Sequence, residues 1–185
     1  MGRIKRQPPV KLIIGFIFKE EDTLRKAKGL LSRKFGKIDY ESAILDFSHT
    51  DYYAREFGAP LKRQFISFTE LILPENLPRI KITTNRIEQK LSRQGLRVIN
   101  IDPGYLNLAK LILASTKDYR HRVYLNQGIY AEVTLFYQDK SFTPWEWTYP
   151  DYKTSDYIAV FNRIREIYAK QINNKLKSEI QNPKF

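Results

Sequence analysis

The chain has 185 residues, of which 42% are hydrophobic and 28% charged, and its net charge is +12. This length and composition are typical of one globular domain with a buried core. The chain has no cysteine, which excludes disulfides and thiolate metal sites and favours a reducing compartment. No apolar run approaches the ~20 residues of a membrane span. We therefore expect a cytoplasmic protein that does not cross a membrane.

The basic charge is unevenly distributed along the chain. Residues 1–11 carry +4 and residues 170–185 carry +3, which leaves +5 for the body between them. Basic tails are typical of weak, nonspecific affinity for polyanions. The tails therefore predict at most weak nucleic-acid binding, whereas the mildly basic body favours an anionic small molecule as the partner.

Hydrophobic periodicity predicts alternating strands and helices in the first hundred residues. In chain order these are a strand over Val10–Phe18, a helix over Glu20–Phe35, strands over Glu41–Phe47 and Arg63–Leu71, a helix ending at Gln94, and a strand over Arg97–Ile101. Two starts are open for the second helix, either Pro78 or a capping box formed by Asn85 and Glu88. Asp102-Pro103-Gly104 then predicts a turn.

The second half of the chain predicts a hairpin and a final helix. A strand over Lys110–Ala114 precedes two apolar runs, Arg122–Leu125 and Ile129–Tyr137, which flank a turn as in a hairpin. Residues 143–154 form a Pro-flanked aromatic loop. A helix follows from Thr154 or Ser155, with apolar residues at helical spacing up to Ile172.

The order β-α-β-β-α-β is that of the ferredoxin-like fold, which has both helices on one face of an antiparallel sheet. We predict an α+β fold with this ferredoxin-like core, an added C-terminal β-hairpin and a packing helix. An α/β open sheet is the alternative, although it requires more helices between strands. Residues 1–9 are predicted to form a basic N-terminal arm, residues 10–172 the single α+β domain, and residues 173–185 a polar, disordered tail.

A charged cluster at residues 116–122 lies between predicted strands. Lys117 and Arg122 are suited to hold a phosphate or carboxylate, Arg122 through its planar fork of donors. His121 is a candidate catalytic acid or base, because imidazole changes charge near neutral pH. The alternative interpretation is a solvated hairpin loop.

Two acidic residues are further catalytic candidates. Asp102 ends a predicted strand and shares a face with Asn100, which we predict to bind the ligand. Glu132 shares a strand face with Tyr130 and Thr134. The alternatives are an ordinary Asp-Pro-Gly turn and a Glu132 that faces solvent.

Lys62 and Arg63 begin the third predicted strand, where they would add positive charge to the mouth of the site. The alternative is that they blunt a sheet edge. Asp46 and Asp51 offer oxygen atoms of the kind that Mg²⁺ prefers, although loop capping explains them equally. No cofactor is otherwise predicted, and zinc is disfavoured because only His49 and His121 carry imidazole.

Six strings in the sequence resemble a prokaryotic family, domain of unknown function 4416. They are DFSHTDYY at 46–53, LKRQFISF at 61–68, IDPGYL at 101–106, ASTKDYRHRVYL at 114–125, GIYAEVTL at 128–135 and TYPDY at 148–152. The resemblance covers roughly residues 8–170 and implies no activity and no catalytic residues. Some members carry a GTP-binding label, which this sequence does not support because it lacks a phosphate loop.

We predict from these patterns that the protein binds an anionic small molecule, a nucleotide or phosphorylated metabolite, and we leave open whether it is an enzyme. One alternative is an RNA-binding module, suggested by the net charge and by 12 Tyr and 11 Phe. It predicts salt-sensitive binding and an exposed aromatic sheet face. Another is a protein-interaction domain that uses the aromatic loop 143–154. The sequence predicts no oligomeric state.

Overall fold

The computed structural model describes residues 2–4, 7–48 and 54–181, and the side chains of 54–55 and 175–181 are outside this description. The strands are β1 Val10–Phe18, β2 Ile38–Glu41, β3 Leu45–Phe47, β4 Leu61–Ile72, β5 Ile99–Leu106, β6 Lys110–Ser115, β7 Val123–Asn126, β8 Ile129–Gln138 and β9 Ser141–Pro144. The helices are α1 Glu21–Phe35, α2 Ala54–Phe57, α3 Leu77–Leu91 and α4 Ser155–Gln181, with 3-10 turns at Pro74–Asn76 and Pro150–Lys153. Asp51, named above as a candidate Mg²⁺ ligand, and His49 lie outside the described residues.

The strands form one sheet in the order β2-β4-β1-β5-β6-β8-β7, with β3 paired to β4 and β9 paired to β8. Every pair of neighbouring strands is antiparallel. The predicted α+β class with a large antiparallel sheet is confirmed. The open α/β alternative is wrong, because most later strands are joined by short loops, which permit only antiparallel pairing.

The two faces of β1 bury two separate apolar layers. Leu12, Ile14, Phe16 and Phe18 pack against α1 and α3 on one face. On the other face, Ile13 belongs to the layer formed with α4. A strand buried on both sides accounts for the nearly continuous apolar sequence of Val10–Phe18.

A buried ion pair attaches α4 to the sheet. The ammonium of Lys11, on β1, donates to the carboxylate of Asp39 on β2 and to Oε1 of Gln171 on α4, the latter at 2.7 Å. Ser67 on β4 donates to the second oxygen of Asp39 at 2.7 Å. Burial lowers the pKa of Lys11, and the contact with Asp39 opposes that effect. The lysine therefore has the partners that a buried charge requires.

Several element boundaries differ from the prediction. The predicted strand 41–47 is two strands, interrupted where the hydroxyl of Ser42 accepts a hydrogen bond from the backbone N–H of Phe65 at 3.0 Å. Helix α3 starts at Leu77, so Asn85 and Glu88 lie inside it and form no capping box. Strand β9 occupies part of the predicted aromatic loop, and α4 continues to Gln181, beyond residue 172. The division into arm, domain and tail stays a prediction.

The Asp102-Pro103-Gly104 sequence lies inside β5, so the predicted turn is wrong. The chain reverses instead at residues 107–109, where Asn107 caps the N–H groups of Ala109 and Lys110 at 2.9 Å each. A proline fits within this strand because pairing with β6 begins only at the next residue, Gly104.

Strands β5 and β6 meet over three residue pairs and then diverge. Gly104 pairs with Leu113 at the last of these positions, and residues 99–103 have no partner on the β6 side. A Cβ atom at Gly104 would lie 2.4 Å from the carbonyl oxygen of Ile112, so only glycine permits this approach. The divergence opens a gap in the sheet.

In the described part of the chain, no helix is both long enough and apolar enough to cross a membrane.

Replacing glycine by alanine should have opposite effects on the free energy of unfolding at Gly104, where the two strands approach closely, and at Gly29. Gly104→Ala should lower the free energy of unfolding by about 1–3 kcal/mol or more, because the new methyl group meets backbone atoms of β6. Gly29→Ala, on the exposed face of α1 with open space around it, should raise it by about 0.5–1 kcal/mol. Urea unfolding of both variants measures the difference. Equal effects at the two positions would contradict the proposed crowding.

Candidate functional site

A cavity of about 580 Å³ occupies the gap between β5 and β6. Its walls come from α3, from the last residues of β6, from β8, and from the segment Tyr149–Tyr152. This volume is within the range of small-molecule sites in proteins. The described part of the lining is rich in charge, with five cationic side chains (Arg63, Lys81, Arg97, Lys117, Arg122) and four carboxyl groups (Glu88, Asp102, Glu132, Asp151).

The floor of the cavity is formed by residues that lie opposite one another on three adjacent strands. Ile17 on β1 is opposite Arg63 on β4 and opposite Asn100 on β5, so these three side chains share one face. Gly15 is opposite Asp102 in the same way, and its missing side chain leaves space. A Cβ atom at Gly15 would lie 3.1 Å from an Arg63 nitrogen, so the guanidinium lies directly over this glycine.

Two side chains of α3 take the place of the missing strand partner of β5. The backbone N–H of Ile101 donates to Oε1 of Glu88 at 2.6 Å, and its carbonyl accepts from the ammonium of Lys81 at 3.3 Å. Both backbone groups are thereby satisfied without a neighbouring strand, as buried backbone groups require. The cavity exists because these side chains, and not β6, close this edge.

Asp102 is fixed by the same wall. Its carboxylate accepts from Lys81 at 3.2 Å and from the side-chain amide of Asn100 at 2.6 Å. Asp102 is therefore held as an ion-paired, hydrogen-bonded carboxylate that faces the cavity.

Glu88 is the second carboxyl group of this wall, and it is only 5% exposed. Burial raises its pKa to about 7, and the nearby Lys81 and the Ile101 N–H only partly offset that effect. Arg97 lies 3.4 Å from Glu88 but forms its closer contacts, 2.8 and 2.6 Å, with both oxygens of Glu56 on α2. A carboxyl group that changes charge near neutral pH thus lines the cavity.

The opposite wall is centred on Glu132 of β8. Its Oε2 accepts from Nε of Arg122 at 2.8 Å and lies 3.3 Å from Nε2 of His121. The two other guanidinium nitrogens of Arg122 donate to the carbonyl oxygen of Lys117 at 2.9 Å and to the Tyr149 hydroxyl at 2.7 Å. Arg122 therefore links Glu132 on β8 both to the loop that contains Lys117 and to Tyr149.

Aromatic rings cover this wall. Trp147 stacks on Trp145 at 5.1 Å between ring centroids and on His121 at 6.0 Å. The indole N–H of Trp147 donates to the Val133 carbonyl at 3.3 Å. The stack holds the imidazole in place, and Nδ1 of His121 is buried with no hydrogen-bond partner in the described chain.

Arg63 is the most unusual group of the site, because its side chain is a buried charge without a carboxylate partner among the described residues. It is 1% exposed, and its Nη2 donates a hydrogen bond to the Tyr152 hydroxyl at 2.6 Å. The rings of Phe65 and Tyr152 lie 4.7 and 5.3 Å from its central carbon, and its Nε has no partner in the described residues. Burial alone lowers the pKa of Arg63, but Tyr152 and Asp151 raise it by more, so the group stays charged.

The structure brings together most of the residues predicted from the sequence. Those that line the cavity are Arg63, Asn100, Asp102, Lys117, Arg122 and Glu132. His121 does not line it and reaches it only by contacting Glu132. Lys62 lies outside it, since successive strand residues point to opposite faces, and its ammonium pairs with Glu21 at 2.6 Å. Asp46, on β3, is also outside the lining.

Comparison with models of protein families shows which family the chain belongs to. A family model described as domain of unknown function (DUF4416) matches residues 8–168. The chain belongs to this family. A search of curated proteins and a search of solved structures each found no match.

Sequence reasoning missed several lining residues of this DUF4416 chain. Lys81 and Glu88 lie on α3, where a polar helix face is ordinarily taken as solvent-exposed. Asp151 and Tyr152 belong to the aromatic loop, which has no periodicity to orient them. One usable signal was Gly15, because a glycine inside an apolar strand often marks a close approach of another group.

The described part of the DUF4416 chain has no group of three or more His, Asp or Glu side chains arranged to hold a metal ion. Several of the cavity charges instead contact one another in pairs, namely Lys81 with Asp102, Arg97 with Glu88 and Arg122 with Glu132.

The raised pKa of Glu88 predicts how stability depends on pH. An ordinary glutamate loses its proton near pH 4.5, whereas the buried Glu88 keeps it until about pH 7. Between these values the folded state binds more protons than the unfolded state, so the free energy of unfolding falls as the pH rises. The contribution of Glu88 is fully present below about pH 4.5 and is lost through pH 7.

Glu88→Gln removes this titration and keeps an oxygen for the Ile101 N–H. We expect wild type to lose stability relative to this variant between pH 5 and pH 8 in urea unfolding. Glu75→Gln removes an exposed carboxyl group outside the cavity, and its difference from wild type should not follow this course. A difference between wild type and Glu88→Gln that does not change with pH would contradict the assignment.

Proposed function

We propose that this protein binds a small phosphorylated molecule, a nucleotide or a phosphorylated metabolite, with its phosphate against Arg63. The observation that carries the proposal is a fully buried guanidinium that has no carboxylate partner in the part of the chain that the structure describes, and that lines a 580 Å³ cavity. Burying an unpaired charge is costly, and the surrounding aromatic rings offset only part of that cost. An anionic ligand would offset the remainder.

Three other cations of the cavity support the same assignment, because each is already paired with a carboxylate. Lys81 pairs with Asp102, Arg97 with Glu56 and Glu88, and Arg122 with Glu132. Arg63 is therefore the cation with the largest unmet demand for a partner. Nearby cations then add a positive field around the bound anion.

The chemistry of the guanidinium favours phosphate over other anions. Its planar fork of donors matches phosphate or carboxylate oxygens in two parallel hydrogen bonds. The cavity is large enough for a ligand with a body attached to the anion, and its polar walls would hold that body.

An enzymatic role would use the carboxylates at the cavity surface. Asp102 and Glu132 are then the acid/base candidates in contact with the bound molecule, and His121 would act through Glu132. Magnesium would have to enter with the phosphate, and Asp46 would not contribute to it.

The two alternative functions have less support. RNA binding calls for an exposed aromatic sheet face, yet the strand β1 and its neighbours are buried beneath helices on both faces. A protein-interaction surface on loop 143–154 is supported by the 41% and 49% exposure of Trp147 and Tyr149. Tyr149 is nevertheless hydrogen-bonded to Arg122 and lines the cavity, which favours a role as its roof.

We also interpret the unit β1-α1-β2-β4-α3-β5 as ferredoxin-like, in a protein that we place in the cytoplasm. The strand order β2-β4-β1-β5 and the packing of α1 and α3 on one face support this interpretation. On it, β6–β9 and α4 are additions that complete the cavity.

Arg63→Met tests the proposal with a matched neighbour as control. Wild type should gain thermal stability from at least one member of a panel of inorganic phosphate, nucleotides and sugar phosphates. At 100 times the Kd the gain is about 2.7 kcal/mol, which raises Tm by several degrees. Arg63→Met should lose the gain, because the phosphate loses its buried cation.

Lys62→Met removes a cation one residue away that does not line the cavity, so it should respond as wild type does. Arg63→Met is expected to fold, since apolar residues often replace buried ions without loss of stability. Equal stabilisation of Arg63→Met and Lys62→Met by a compound would refute the proposal. A panel in which no compound stabilises wild type would refute it as well.

A further inference from the structure

Asp151 is a buried carboxylate without a partner in the same cavity. It is 8% exposed, lies in the 3-10 turn Pro150–Lys153 and lines the cavity. Within the described residues its side chain forms no hydrogen bond and no ion pair; only its backbone carbonyl is used, by Thr154. Asp102, by contrast, is held by Lys81 and Asn100. The carboxylate oxygens of Asp151 are not sealed from the cavity, so they are open to hydrogen-bond donors of a molecule bound there.

Asp151 and Arg63 therefore present opposite unmet demands to one ligand. They are close enough for Asp151 to raise the pKa of Arg63, yet they form no ion pair. A purely anionic ligand, such as inorganic phosphate, would satisfy Arg63 and would be repelled by Asp151. The ligand must also carry hydrogen-bond donors.

Hydroxyl groups of the ligand meet this requirement for hydrogen-bond donors better than an ammonium group does. Among the described lining residues the five cationic side chains outnumber the four carboxyl groups, and Arg63 lies near Asp151, so a further positive charge gains less there than a neutral donor. Asn85, Gln89 and Asn100 also line it, and their amides both donate and accept, as hydroxyl groups do. Carboxylates hold sugar hydroxyls in this way in dinucleotide-binding folds.

We propose that the ligand is a phosphate ester of a polyhydroxylated compound, a sugar phosphate or ribonucleotide, whose phosphate contacts Arg63 and whose hydroxyl groups donate to Asp151. This inference rests on the proposed phosphate site and adds the chemical class of the attached body. It assigns a separate, specificity-determining role to Asp151.

Binding measurements with matched ligands separate the two contacts. The probes are ribose 5-phosphate, glucose 6-phosphate and adenosine 5′-monophosphate, each with its 2-deoxy and 3-deoxy analogues, measured by calorimetry. Wild type should bind at least one parent compound about tenfold or more tighter than a deoxy analogue, the effect of losing one hydrogen bond to a charged group.

Asp151→Asn should reduce that ratio towards one while leaving the affinity for the deoxy analogue nearly unchanged. Asp156→Asn removes an exposed carboxylate five residues along the chain and should keep the wild-type ratio. Arg63→Met should weaken the parent and the deoxy analogue alike, because both carry the phosphate.

The outcomes distinguish this inference from the proposed function. Equal binding of every parent and its deoxy analogues by wild type, or an unchanged ratio in Asp151→Asn, overturns the role of Asp151. Binding that still depends on Arg63 would then leave the phosphate site standing. No binding of any of these phosphate esters overturns both.

Discussion

The open edge of β5 is the constraint from which the rest of the site follows. Ile101 presents a backbone N–H and a carbonyl where a neighbouring strand would normally bind them, and Glu88 and Lys81 bind them instead. Had β6 continued alongside β5, the ladder would have filled the space that is now a cavity. Helix α3 is thereby fixed to the sheet by polar contacts at the place where the sheet is incomplete.

This arrangement also explains the unusual electrostatics of the site. An opening in a sheet brings side chains from both of its faces to one space, so groups from α3, β4, β8 and the Pro150–Lys153 turn meet there. Most of these charges neutralise one another in pairs. Within the described residues Arg63 and Asp151 have no ion-pair partner, and their low exposure strengthens the electrostatic interactions that a ligand can form with them.

The sequence was informative where one physical pattern dominated. Apolar periodicity predicted β1 and α1 closely, because burial decides those elements. The hairpin of β7 and β8 was predicted from the turn between two strand-like runs, since β7 itself is exposed. The sequence was misleading at Asp102-Pro103-Gly104, because these turn-forming residues lie in β5, which lacks a neighbouring strand on one side before Gly104. For the site, the charged residues between strands were recognisable as candidates. The contributions of Lys81, Glu88 and Asp151 were not, because they depend on how α3 and the last turn fold back over the sheet.

Helix α4 joins the two halves of the sheet. It packs Phe161, Ile164 and Tyr168 on a layer that contains Phe65 from β4 and Leu135 from β8, and it holds Lys11 of β1 through Gln171. The early strands and the late strands therefore share one covering element, although they are separate in sequence. A fragment that ended before Ser155 would leave this apolar sheet surface bare and Lys11 short of a hydrogen bond. Such a fragment is an unsuitable starting point for dissecting the protein, because self-association through the uncovered surface would mask its intrinsic properties.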